Sequence, residues 1–122
     1  MLRPWFVLML LVSNSIGAQA QDRPFEPVGV WRSYHKDGSS FEVRVFPDGS
    51  ATSTADGGQR GMWSWEQKSV RIVFTDGWDD VLEAGEGGQM LKKSWGPGMD
   101  RSQPSKNVSR VDLLSRDLGV GE

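Results

Sequence analysis

Gly29-Val30-Trp31 opens a strand-like stretch that ends at Phe46-Pro47-Asp48-Gly49, and Gly61-Met62-Trp63 opens another that ends at Phe74-Thr75-Asp76-Gly77. Both copies read Gly-x-Trp, then alternating apolar residues, then Phe-x-Asp-Gly. Asp-Gly also occurs at Asp37-Gly38 and Asp56-Gly57. This dipeptide supplies the positive φ angles that tight hairpin turns require. Between the turns the apolar residues alternate with period two, the pattern of a half-buried strand. The chain therefore reads as a small all-β protein.

Working outward from the repeat, strands are expected over 28–34, 40–46, 50–55, 60–66, 69–75, 79–84, 88–94 and 107–113. About eight short strands joined by short connections imply an antiparallel meander, closed into a small up-and-down barrel. Closure removes the edge strands that invite aggregation. The pleat places Phe41, Val43 and Val45 on one face, Val70, Ile72 and Phe74 on one face, and Trp63 and Trp65 with Gly61. With Trp31, these nine side chains form the expected core. The strand from 50 offers only small residues on either face, which leaves room for neighbouring indoles or for a cavity.

The first 20 residues read as a leader. Arg3 provides a positive start, Trp5 to Val12 is an apolar run of eight residues, and Ala18-Gln19-Ala20 is a small-x-small cleavage site with the cut before Gln21. The run is shorter than the roughly 20 residues that span a bilayer. The alternative is an uncleaved N-terminal anchor. The expected organisation is a signal peptide at 1–20, an extension at 21–27, the barrel at 28–114 and a flexible tail at 115–122. A short helical turn over Leu113 to Leu118 is an option for the chain's end.

Losing the leader removes one basic residue and no acidic one, which takes the formal charge from −2 to −3. Such a domain has no electrostatic footprint for nucleic acid or an anionic membrane, and no later segment is apolar enough for stable membrane insertion. The chain has no Cys and one His, so zinc and iron–sulfur sites lack ligands, and no cofactor is expected. Export without disulfides suits a bacterial periplasm or the surrounding medium.

Catalytic signals are sparse. A catalytic triad would have to use His35, the one histidine, with a serine such as Ser33 or Ser39 and an acid such as Asp37, and the Gly-x-Ser-x-Gly elbow is missing. Asp76, Asp79 and Asp80 gather three carboxylates in five residues, a weak Ca²⁺ candidate or an acid–base pair, but a solvated turn accounts for them better. Gly85-Glu86-Gly87-Gly88 precedes no helix and so builds no phosphate loop. What remains is aromatic. Trp78 sits in a turn and Trp95 begins the long polar stretch 96–107. A binding mouth formed by Trp78, Trp95 and that loop, with Tyr34 and Arg32 as polar partners, is the expected site.

Gly29-x-Trp31 followed by a hairpin meander resembles the opening of calycin-type barrels, the lipocalins and avidins. The resemblance implies that Trp31 closes the bottom of the barrel. The chain also resembles small exported bacterial barrels, including inhibitors of proteases and of lysozyme, although those carry a disulfide. With its paired motifs it looks like the lipocalin-like exported proteins of bacteria. The expected function is a non-enzymatic exported module that binds a small or apolar ligand. The alternatives are a protein-partner role, as a periplasmic inhibitor or envelope accessory, and a carboxylate-based enzyme.

Overall fold

The computed structural model describes residues 23–119. The leader expected over 1–20 and its cleavage point lie outside those residues, as do the last three residues of the tail. Eight strands follow one another: β1 (Gly29–Tyr34), β2 (Ser40–Val45), β3 (Ser50–Ser53), β4 (Gln59–Glu66), β5 (Ser69–Phe74), β6 (Asp79–Ala84), β7 (Met90–Trp95) and β8 (Asn107–Ser115). Each pairs antiparallel with its sequence neighbour, and β8 pairs with β1 to close the barrel.

Three local expectations are corrected. β3 stops at Ser53 rather than 55, because Ala55–Gly57 is a 3-10 turn in which Asp56 takes φ 53°. β7 starts at Met90 rather than 88 and keeps Trp95, because Glu86–Gly88 forms a second 3-10 turn. No helical turn occupies 113–118. Leu113 and Ser115 continue β8 against Trp31 and Val30, with a bulge between those β1 positions. Closure gives this segment backbone partners that an isolated chain end would lack.

The repeated motif is repeated geometry. In Phe46–Gly49, the Gly49 N–H donates to Phe46 O at 3.3 Å and the Phe46 N–H to Ser50 O at 3.0 Å. In Phe74–Gly77, Gly77 donates to Phe74 O at 3.1 Å and Phe74 to Trp78 O at 2.9 Å. In both, the Asp carboxylate accepts from the residue after Gly: Asp48 from Ser50 N at 2.9 Å and Asp76 from Trp78 N at 3.1 Å. Gly49 and Gly77 take φ 93° and 99°, so the αL position needs Gly while Asp locks the turn. The Gly of Gly-x-Trp has another cause. A Cβ on Gly61 would lie 2.6 Å from Val73 O and 3.0 Å from the Phe74 ring, so Gly lets two strands and an aromatic ring close up.

The apolar interior fills one end and extends through the middle of the barrel. Trp31, Val43, Val45, Val70, Ile72 and Phe74 are buried together with Ala51, Leu82 and Val111. Phe41, Trp63 and Trp65 pack against them half-buried. Buried indoles need a partner for N–H. Trp31 Nε1 donates to Pro27 O at 2.9 Å and Trp63 Nε1 to Phe46 O at 2.7 Å. The 23–28 segment lies against this end: the Phe25 ring is 5.2 Å from that of Trp65, and the Arg23 guanidinium lies over the Trp65 ring. The described part of the tail is tied here too, with Arg116 Nη1 donating to Glu26 O and Val28 O, and Arg44 Nη1 to Leu118 O.

Candidate functional site

A meander sends alternate connections to the same end. The β1–β2, β3–β4, β5–β6 and β7–β8 connections therefore surround the end opposite the indole plug. Here the inward positions turn polar. β1 contributes Ser33, β3 Ser53, β6 Asp80, and β7 Lys92 and Ser94, all buried. These small and polar side chains do not fill the bore. They leave a cavity of about 270 Å³, walled by Phe41, Phe74 and Trp78, floored by Asp80, Lys92, Ser53 and Ser94, and rimmed by His35, Asp56 and Asp76.

The floor is an ion pair inside the barrel. Asp80 lies opposite Ser94 on β7, and Lys92 lies opposite Leu82, so the two charges meet diagonally across the β6–β7 ladder. Lys92 Nζ is 3.6 Å from Asp80 Oδ2, longer than a direct charged hydrogen bond, and lies over the Phe41 ring at 4.5 Å from its centroid. Asp80 is 4% exposed and Lys92 7%. Burial pushes the Asp80 carboxyl above its ordinary value, against the pull of Lys92 and of the Ser94 hydroxyl opposite it. Burial likewise pushes the Lys92 amine below the ordinary lysine value, against the pull of Asp80. Asp80 Oδ1 and Ser33 Oγ have no hydrogen-bond partner among the described residues.

The residues singled out from sequence scatter around this site. Trp78 lines the cavity, half-buried. Tyr34 edges it from the end of β1, with its hydroxyl committed to Asp112 Oδ2 at 2.6 Å. Arg32 is exposed on the outer face and is not among the residues lining the cavity. Trp95 ends β7, and its Nε1 donates to Gln103 O at 2.9 Å. Trp78, Trp95 and the loop residues Met99, Pro104, Lys106 and Asn107 line a second hollow, of about 540 Å³, beside the cavity.

The long loop is clamped to the outer wall. Arg101 Nη2 pairs with Glu66 at 2.8 Å, its Nε lies 3.6 Å from Asp79, and its guanidinium lies over the Trp95 ring. Arg71 makes two bonds to Asp79, at 3.0 and 2.6 Å. Ser105 Oγ donates to Ser94 O at 2.6 Å, which pins the loop's far end.

The three clustered aspartates go to three environments. Asp76 is exposed and caps its own turn, Asp79 faces outward to Arg71 and Arg101, and Asp80 points into the barrel. The pleat separates Asp79 from Asp80. Among the described residues no three His, Cys, Asp or Glu side chains gather to hold a metal ion. The triad candidates do not assemble either. Ser33 is fully buried in the bore, whereas Asp37 sits in the exposed first turn and accepts from Ser39 N and Oγ. His35 stacks on Phe41 at 4.6 Å.

Lys92, Ser94, Ser53 and the inward role of Asp80 escaped the sequence reading. In β7, Met90, Lys92 and Ser94 share one face and Leu91, Lys93 and Trp95 the other. The outward set is the more apolar one, so parity gives no inward assignment. In β6, Val81 and Leu82 are adjacent and both buried. The register sets Arg71 and Lys93 on either side of Val81, and their stems cover it from outside. Asp80 on the same face as Leu82 was the available signal.

No protein-family model, curated protein or solved structure matches this chain. Among the described residues no helix is long and apolar enough to cross a membrane.

Proposed function

We propose that this protein is a non-enzymatic binding module that takes one small ligand into the open end of its barrel. The observation that carries the reading is the cavity of about 270 Å³, in which three aromatic walls surround a floor of buried polar groups. A concave, mostly apolar site with a few convergent polar groups is the ordinary form of a small-molecule pocket. The separation of Asp76, Asp79 and Asp80 supports a binder over a carboxylate-based enzyme, since general acid–base work needs two groups converging on one substrate. The leader-like residues 1–20 support export to the periplasm or the medium. The chain recovered there is expected to begin at Gln21, and an intact mass retaining Arg3 contradicts export with cleavage.

Native mass spectrometry of the full exported chain tests the reading, with denatured protein as control. The expected result is a mass increment that disappears on denaturation, and a displaceable Trp78 emission change on adding the released compound. A bare mass, with no emission change across a small-molecule panel, overturns it. A protein-partner role has one observation of its own. Met62 and Val73 are cross-strand neighbours on the outer wall and are 63% and 43% exposed. That role predicts loss of partner capture in Met62→Lys with the cavity untouched.

A further inference from the structure

The cavity's floor also bears on what kind of ligand it selects, an inference that rests on the binding reading above. A buried charge is tolerated when it is paired and its remaining hydrogen-bonding capacity is met. The Asp80–Lys92 pair meets the first condition and leaves the second open. The two groups approach only to 3.6 Å, and Asp80 Oδ1 has no partner among the described residues. The carboxylate's terminal torsion is soft, so a small rotation presents its unpaired oxygen to the bore. Lys92 carries three N–H donors, and Asp80 can take them only in part. Both side chains line the cavity.

The floor thus sets an acceptor beside a donor with no net charge. The walls are flat: Phe41, already under Lys92, Phe74 and Trp78. We propose that the cavity selects uncharged, flat ligands bearing a hydrogen-bond donor next to an acceptor, the donor meeting Asp80 and the acceptor meeting Lys92. An aromatic carboxamide and the lactam edge of a neutral heterocycle both have this form. An anionic ligand sets its charge against Asp80, a cationic ligand sets its charge against Lys92, and a plain hydrocarbon leaves both groups unmet.

Four probes of one size separate these cases: benzamide, benzoate, benzylamine and toluene, titrated into the full exported chain at neutral pH and followed by amide and indole NMR shifts. Benzamide is expected to bind saturably, moving Phe41, Ser94 and the Trp78 indole, at least about tenfold tighter than the other three, since a mismatched buried polar group costs roughly that much. Combining Asp80→Leu with Lys92→Met is expected to abolish the preference for benzamide over toluene while toluene still binds. Toluene matching benzamide in the wild type overturns the selectivity and leaves the binding module standing. Benzoate or benzylamine matching benzamide overturns the neutral-ligand assignment in the same way. No saturable binding of any of the four overturns the assignment and the binding reading together. The wild-type comparison needs no variant, so it decides the point even where the double substitution fails to fold.

Discussion

The two ends of this barrel are built from the same hairpins and finished in opposite ways. At one end Trp31, Trp63, Trp65 and Phe25 close the bore, with two of the three indole N–H groups on backbone carbonyls. At the other, Ser33, Ser53, Asp80, Lys92 and Ser94 occupy equivalent inward positions and leave it hollow. The difference shows how one architecture divides its work. The aromatic end supplies burial, which scales with apolar area removed from water. The polar end gives up that burial to keep a lined space. Apolar packing and open space are thereby separated along the barrel axis, and substitutions at the two ends are expected to fail differently.

The largest effect is expected at the closed end. Trp31→Ala empties a site only 4% exposed in the wild type and is expected to cost about 4 kcal/mol in urea unfolding. Near-wild-type stability there removes the distinction between the ends. At the open end, Lys92→Met alone strands Asp80 and is expected to cost about 3 kcal/mol, whereas Asp80→Leu combined with Lys92→Met recovers most or all of it. Equal losses in the single and double variants mean the pair is not the issue. Below both, Gly61→Ala forces a Cβ toward Val73 O and the Phe74 ring and is expected to cost about 2 kcal/mol by the same assay.

A pH series sharpens the contrast further. Burial raises Asp80, so the folded state holds its proton more tightly than the unfolded chain, and stability falls as pH climbs above the ordinary value of 3.8. Burial lowers Lys92, so the folded state binds its proton less tightly, and stability rises as pH approaches 10.5. The stability of the Asp80→Leu, Lys92→Met variant relative to wild type is therefore expected to be highest near neutrality and to fall toward both limits. A flat difference between pH 4 and 10 contradicts the assignment of those shifts to burial of this pair. The smallest effect belongs to the outer wall. Arg101→Ala unclamps the 96–106 loop from Glu66 and Asp79, raising its hydrogen exchange. Because the clamp is partly solvated, global stability should change by less than about 1 kcal/mol.

How much of this was legible depended on whether the determining contacts were local. Phe46-Pro47-Asp48-Gly49 and Phe74-Thr75-Asp76-Gly77 announce their turns because the Asp cap, the Gly φ angle and the closing backbone bonds all lie within five residues. Phe41, Val43 and Val45 announce an inward face because nothing apolar competes on the other. Trp78 was legible as poorly placed for the core because it is an indole inside a turn, and it lines the cavity wall. Met90–Trp95 was not, since apolar residues occupy both faces and only the neighbours on β6 and β8 settle which faces inward. The loop's clamp was hidden as well, because Arg101 and Glu66 lie 35 residues apart.

From the sequence alone came eight strands, their turns and their order, since a period of two and an Asp-Gly turn are properties of adjacent residues. The tertiary structure alone decided that Asp80 and Lys92 share the bore, that Trp95 lies outside with its N–H on the loop, and that one end stays hollow. The physical reason is closure. Once β8 pairs with β1, the register of every strand is set by partners far away in the chain, and that register determines which of two chemically mixed faces looks inward.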